Sequence, residues 1–161
     1  RLSDAFWKAE LVQRLNTSSL NAPYFSVFLA SQVQAGDKGF LSREITVADL
    51  ISYRGDIHHL FPKQYLKSRG QIANYVYMQS ETNIRIGNKE PQRYFTTLLE
   101  QVKGGEAVYG GIDNEDDLRT NLSAHCIPES ILEGNVETYQ DFLNERRKLM
   151  AEKMREYYEA M

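Results

Sequence analysis

The chain has 161 residues, of which 42% are hydrophobic and 25% charged, proportions that are ordinary for one globular domain with its own core. No apolar run approaches ~18 residues, which predicts no membrane-spanning segment. A single cysteine, Cys126, excludes an internal disulfide and a cysteine-rich zinc site, and it fits a reducing, cytoplasmic location. The chain begins at Arg1 rather than at methionine, which suggests a fragment of a longer protein.

Charge is distributed unevenly along the chain. The formal net charge is −3, yet the segment from Arg54 to Lys103 contains eight Lys or Arg residues and four Asp or Glu residues, so it carries +4 and the remainder −7. A basic centre within an acidic chain is typical of a localised polyanion-binding site. A chance cluster of solvent-exposed Lys and Arg explains the same counts, and charge alone does not decide between the two.

The first 53 residues are predicted to be helical. Apolar residues at helical spacing predict an amphipathic helix over 2–15 and a largely buried helix over 23–34. Pro23 suits the first turn of that second helix, and Gly36 suits its end. Thr46 is a favourable residue to precede a short helix that ends near residue 52.

The middle of the chain is predicted to contain two short strands and a short helix. The strands are expected over 56–61 and 75–78, where β-branched and aromatic residues are frequent. Between them, Pro62 begins a turn or short helix to residue 67, and a tight loop follows at 68–71. Ser80 is expected to cap the short helix, which Gly87 ends.

The remaining residues are predicted to form three more helices. One runs from Pro91 to about residue 102, one follows Asn114, and a long one runs from residue 135 onwards. The three acids at 115–117 are expected to favour a helix start rather than to form a metal cluster. In the long helix, a basic strip is expected to be solvent-exposed: Arg146, Arg147 and Lys148. Without repeats or linkers, residues 1–161 are predicted to be one α+β, mostly helical domain.

The most informative stretch contains two adjacent histidines at the end of the first predicted strand. His58 and His59 precede an apolar pair and Pro62, and Asn74 and Asn83 follow at a spacing of nine residues. Phosphodiester hydrolysis needs a base to deprotonate water, and a histidine can serve because its pKa lies near neutrality. It also needs positive charge at the phosphate and the leaving oxygen, which one hard divalent ion can supply. The pattern therefore indicates a one-metal nuclease site.

This pattern resembles the ββα-metal nucleases, also called the HNH or His-Me finger family. The resemblance implies a finger at about 54–90 with helical flanks at 1–53 and 91–161. It implies that His59 is the general base and that Asn74 ties the loop between the strands to that base. It also implies that His58 and Asn83 hold one divalent ion, Mg²⁺ or Mn²⁺. Asp56 lies two residues before His58, so it can share the same face of the strand and is a reserve metal ligand. Many relatives carry an acid where His58 stands, and a neutral ligand shifts preference toward Mn²⁺, Co²⁺ or Ni²⁺.

More narrowly, residues 54–95 resemble the C-terminal nuclease domain of GmrSD-type, type IV modification-dependent restriction systems. The stretches that carry this resemblance are IHHLFPKQYL and QIANYVYMQSETNIRIGNKEPQRYF. The family implies cleavage of foreign DNA that carries modifications, and a ParB-like NTPase domain elsewhere in the full-length protein. The loop at 68–71 is short for this family. One such site would nick one strand, and cutting both strands would need a homodimer or two events.

Three basic residues near the motif are candidates for contacts to the DNA backbone: Lys63, Arg85 and Lys89. Three alternatives remain open from the sequence. The finger could be an inactive module that binds DNA or a protein, or its substrate could be RNA, as in a toxin nuclease. Alternatively, the chain could be a helical scaffold that dimerises through residues 135–161.

Overall fold

The computed structural model describes residues 1–53, 55–63 and 70–161 of the chain. They form a mostly helical α+β fold around one small sheet of two antiparallel strands, so the predicted fold class is confirmed at this level. The elements, in order, are α1 (Leu11–Arg14), α2 (Pro23–Ala35), α3 (Val47–Ser52), β1 (Asp56–His59), β2 (Tyr75–Met78), α4 (Ser80–Ile86), α5 (Pro91–Val102), α6 (Glu115–Ala124) and α7 (Tyr139–Glu159). Of the helices in the described ranges, none has both the length and the apolar character needed to cross a bilayer.

Local sequence signals set the ends of several helices. Thr46 and Asp49 form a capping box at the start of α3, in which each side chain accepts a hydrogen bond from the other residue's backbone N–H. Asn114 caps α6, because its side-chain oxygen accepts from the backbone N–H of Asp117 at 2.8 Å. Gly36 ends α2 in the left-handed conformation, with φ of 69°. The three acids of the first turn of α6 lie where the helix dipole favours negative charge, as predicted.

The two strands place the histidine pair opposite the start of β2. In the antiparallel register, Asp56 lies opposite Met78 and His59 lies opposite Tyr75. β1 ends two residues before the predicted end at Phe61, because the side chain of Asn74 binds both backbone groups of Phe61 in place of a strand partner. Residues 64–69, which include four residues of the predicted turn at 62–67 and two of the loop at 68–71, lie outside the described residues.

The second strand leads directly into α4. Ser80 is the first residue of α4, and Gln79 takes the preceding, extended position that was predicted for Ser80. Gly87 ends the helix with φ of 58°, as predicted. α4 packs against β1, so the helix that carries Asn83 lies beside the strand that carries His58.

The long helix α7 is the main support of the loop that follows β1. It packs against α1, α2 and the 3-10 turn Ile72–Asn74. On its apolar face, Tyr139 and Phe142 contact the buried ring of Phe61, with ring centroids 5.2 and 4.8 Å apart. Fully burying a side chain of this size contributes roughly 1.5–3 kcal/mol. The chain segment after His59 is therefore fixed by a helix far away in sequence.

The prediction that Arg146, Arg147 and Lys148 form a solvent-exposed strip is wrong for the two arginines. Arg146 is 0% exposed and Arg147 6% exposed, whereas Lys148 is exposed. Phe142 and Leu143 precede Arg146 by four and three residues, so all three lie on the buried face of α7. Both guanidinium groups donate to oxygen atoms inside the protein, which replaces most of the hydrogen bonds they lose to water. Nε of Arg147 is buried and has no hydrogen-bond partner among the described residues.

Candidate active site

Three side chains that were predicted to bind a metal ion are joined by hydrogen bonds in the structure. Asp56 and His58 stand two residues apart in β1, so they point to the same face of the strand. Asn83 reaches both from α4. Its Oδ1 lies 2.7 Å from Nδ1 of His58, and its Nδ2 donates to Oδ2 of Asp56 at 3.2 Å. The structure thus brings an imidazole nitrogen, an amide oxygen and a carboxylate together.

The imidazole of His58 is held in an apolar aromatic environment. It is 3% exposed, stacks on Phe40 at 6.2 Å and meets the edge of Tyr94 at 6.0 Å. This burial lowers the pKa of His58 to about 4, against the hydrogen bond with Asn83, which raises it. At neutral pH the ring is therefore uncharged, which is the form that binds metal ions. Its Nε2 is buried and has no hydrogen-bond partner among the described residues.

His59 has different surroundings from its neighbour. Its ring is half-buried and meets the edge of the Tyr75 ring, with centroids 5.0 Å apart. Partial burial lowers the pKa of His59, and the positive charge of Lys63 lowers it further. Consecutive strand residues point to opposite faces, and within the described part of the chain no hydrogen bond joins His59 to Asn83. The predicted base is therefore next to the predicted ligand His58 along the chain, and its side chain points to the other face of β1.

Asn74 fixes the backbone immediately after His59. It is fully buried, its Oδ1 accepts from the N–H of Phe61 at 2.8 Å, and its Nδ2 donates to the carbonyl of Phe61 at 3.0 Å. The N–H of Leu60 also donates to the backbone carbonyl of Asn74 at 2.9 Å, and the Tyr94 hydroxyl donates to the carbonyl of Leu60. Asn74 thus extends the hydrogen bonding between the two segments beyond the paired strand residues, and both hydrogen bonds of its side chain go to the backbone of Phe61.

The three predicted phosphate contacts have different environments. The ammonium of Lys89 donates to the carbonyls of Arg85 and Ile86, so it closes the C-terminal end of α4. The guanidinium of Arg85 donates to the carbonyl of Val108 at 3.4 Å. Lys63 is exposed and close enough to His59 to influence its pKa. Of these three residues, Lys63 is the one whose charge acts on the pKa of His59.

The sequence pattern alone missed two residues that support this site. Tyr94 is fully buried and contacts both the His58 ring and the carbonyl of Leu60. Arg146 donates to the carbonyls on either side of Asn74. A signal for Arg146 was available, since Phe142 and Met150 flank it at four-residue spacing and so place it on the apolar stripe of α7.

Comparisons with protein-family models, with curated proteins and with solved structures found no match for this chain. Within residues 1–53, 55–63 and 70–161, no group of three or more His, Cys, Asp or Glu side chains is arranged to hold a metal ion. The predicted ligand set contains two such side chains, His58 and Asp56, and its third member is the amide of Asn83. The assignment of a function therefore depends on the geometry of these residues.

Proposed function

We propose that this chain is a metal-dependent DNA endonuclease domain whose β1, β2 and α4 form a ββα-metal finger of the HNH type. One observation carries the proposal: Asn83 joins the side chains of His58 and Asp56, one residue along the chain from the half-buried His59. Hydrolysis of a phosphodiester needs a base and ligands for a divalent ion. His59, whose pKa is lowered, can serve as the base. The ligands can come from the neutral imidazole of His58, the amide oxygen of Asn83 and the carboxylate of Asp56.

The donor atoms of this set are of the types that bind a divalent ion. Around an ion with octahedral bonds of ~2.1 Å, neighbouring ligand atoms lie ~3 Å apart. Nδ1 of His58 and Oδ1 of Asn83 are 2.7 Å apart, which is close to the spacing of two ligand atoms. Because Oδ1 is an acceptor, Nδ1 carries the proton of this hydrogen bond, and binding of an ion through Nδ1 would require that proton to move to Nε2. The carboxylate of Asp56 contributes negative charge next to them. Imidazole and amide donors with a single carboxylate favour Mn²⁺, Co²⁺ or Ni²⁺ relative to Mg²⁺.

In this proposal the residues divide the reaction between them. His58, Asn83 and Asp56 would hold the ion, which supplies positive charge to the scissile phosphate and to the leaving oxygen. The imidazole of His59 takes a proton from the water whose oxygen forms the new bond to phosphorus, while the bond to the leaving oxygen breaks. The lowered pKa of His59 favours the unprotonated ring, which is the form that can accept a proton. Lys63 contacts a phosphate oxygen of the bound strand.

The test is nicking of supercoiled plasmid DNA with Mg²⁺, Mn²⁺, Co²⁺ or Ni²⁺, or with EDTA. We expect activity only with a divalent ion, and a loss of ~100-fold or more in His59→Ala, since general-base catalysis contributes at least this factor. Asn83→Ala should lose activity, and added metal should restore part of it. The matched control is Asn88→Ala, an exposed asparagine two residues beyond α4, which should nick like the native chain.

Two outcomes would reject parts of the proposal. A native chain that nicks no DNA with any of the four metals, while remaining folded by circular dichroism, is not a DNA endonuclease. A His59→Ala variant that nicks at the native rate would show that another group is the base. The ribonuclease alternative is tested by adding an excess of RNA to the plasmid reaction. Cleavage of the RNA with no nicking of the plasmid would indicate a ribonuclease with the same chemistry.

The narrower proposal is that the domain is the effector of a modification-dependent restriction system. Its support is the resemblance of residues 54–95, and it predicts a preference for modified DNA. Plasmids that carry unmodified, methylated or glucosylated hydroxymethyl cytosine, compared at equal concentration, test this directly. Equal nicking of all three would place the selection of modified DNA outside this chain, for example in a partner NTPase domain.

A further inference from the structure

Arg146 is a buried cation that binds the backbone on both sides of Asn74. Its Nη1 donates to the carbonyl of Ala73 at 2.9 Å and to that of Tyr75 at 2.8 Å. Its Nε and Nη2 donate to the carbonyl of His125 at 3.2 and 3.1 Å. One side chain from α7 therefore joins the start of β2 to the end of α6.

The charge of Arg146 is placed against carbonyl oxygens and an aromatic ring. In the described part of the chain no carboxylate forms an ion pair with it, and its guanidinium carbon lies 5.9 Å from the centre of the Phe28 ring. Burial lowers the pKa of Arg146 to about 10, so the group remains charged at neutral pH. Burying a charge without an opposite charge is costly, and four hydrogen bonds to carbonyls reduce that cost. Because burying the charge of Arg146 is costly, we infer that the backbone arrangement held by its hydrogen bonds is important to the protein.

That geometry leads to His59 by two short routes. On the first, Arg146 fixes the backbone around Asn74, and Asn74 holds the N–H and the carbonyl of Phe61, two residues after His59. On the second, it fixes the carbonyl of Tyr75, whose ring contacts the His59 ring and whose backbone lies opposite His59 in the sheet. Both routes end at the same imidazole.

We propose that Arg146 is the positioning residue of the finger, which sets the orientation of the His59 ring through Asn74 and Tyr75. The catalytic part of this inference rests on the proposed nuclease function, whereas its structural part does not. Arg146 touches neither the metal ligands nor the predicted base, so it acts only through the residues between them. A lysine at this position keeps the charge but lacks the planar fork that reaches three carbonyls at once.

The test compares Arg146→Lys with Arg147→Lys. Arg147 is the matched control, since it is the adjacent buried arginine of α7 but donates to the side chains of Asn16, Gln71 and Asn144. In Arg146→Lys we expect kcat for nicking to fall ~10- to 100-fold with KM within about twofold, because small displacements of catalytic groups cost factors of this size. Arg147→Lys should stay within about threefold of the native kcat.

Nuclear magnetic resonance gives a readout that does not need activity. In Arg146→Lys, the imidazole resonances of His59 should shift, and the N–H groups of Leu60 and Phe61 should exchange with solvent at least ~10-fold faster, since their partner Asn74 is no longer fixed. In Arg147→Lys these signals should be unchanged. If the native chain proves to be no nuclease, these measurements still decide the structural part of the inference.

A folded Arg146→Lys variant with native kcat and unchanged His59 resonances would overturn the inference. Should Arg146→Lys not fold, the native chain provides the deciding measurement, which is hydrogen exchange at the guanidinium. The side-chain N–H groups of Arg146 should exchange far more slowly than those of the exposed Arg43, because they are bound to buried carbonyls. Equal exchange at the two arginines would show that Arg146 does not hold this backbone.

Discussion

The free energy of unfolding should fall between pH 7.5 and pH 5, and His125 should account for about 2 kcal/mol of that fall. Its Nε2 donates to the carbonyl of Lys38 at 2.7 Å, so Nδ1 of the neutral ring accepts from the amide of Gln32 at 3.2 Å. A second proton has no acceptor there. Burial lowers the pKa of His125 to about 3, against the opposing effect of the Lys38 carbonyl.

The sign and the size follow from the difference between the folded and unfolded pKa. An unfolded histidine titrates near ~6.5, so between ~6.5 and about 3 the unfolded chain binds a proton that the folded chain does not. Stability from His125 is therefore complete above ~6.5 and is lost as the pH falls below it. Each pH unit in this window costs ~1.4 kcal/mol, so the loss reaches about 2 kcal/mol at pH 5.

Urea unfolding of the native chain and of His125→Gln, at pH 7.5 and at pH 5, measures this contribution. Glutamine keeps a donor for the carbonyl of Lys38 but does not titrate. We expect the variant to be less stable at pH 7.5 and the gap to the native chain to shrink by about 2 kcal/mol at pH 5. A gap that is the same at both pH values, with equal urea dependence of the two proteins, would refute the reasoning.

Two further perturbations test the surroundings of His59. Asn74→Ala leaves two buried backbone groups unpaired and should destabilise the chain by roughly 2–6 kcal/mol in urea unfolding, whereas the exposed Asn88→Ala should change stability by no more than ~0.5 kcal/mol. A small effect of Asn74→Ala would mean that water replaces its hydrogen bonds. Lys63→Gln removes a positive charge and should raise the pKa of His59 in an NMR titration, while Lys103→Gln leaves it unchanged. No difference between the two lysine variants would place the charge of Lys63 too far away to matter.

The parts of the fold that local chemistry determines could be predicted from the sequence. Thr46, Asn114 and Gly36 set helix ends through contacts within a few residues, and such contacts are visible in the sequence. The existence of β1 and β2 was also predicted, from two short β-rich segments. The same reasoning brought Asp56 and His58 to one face of a strand.

The parts that depend on distant contacts could not be predicted. Arg146 was expected in solvent because arginine is rarely buried, and the carbonyls that it binds lie 73 and 71 residues earlier in the chain. β1 ends at His59 because an asparagine side chain, 13 residues after Phe61, replaces the next strand residue.

Contacts between α7 and the segment around Asn74 join parts of the chain that are synthesised at different times. Both strands and α4 lie within residues 56–86, whereas the arginine that fixes them lies at position 146. Chains are synthesised from the N-terminus, so the whole finger emerges before the residue that sets it. On the positioning proposal above, a nascent chain that stops short of α7 carries every catalytic group without their final arrangement. Under the proposed function, cutting activity would therefore arise only after α7 has been synthesised.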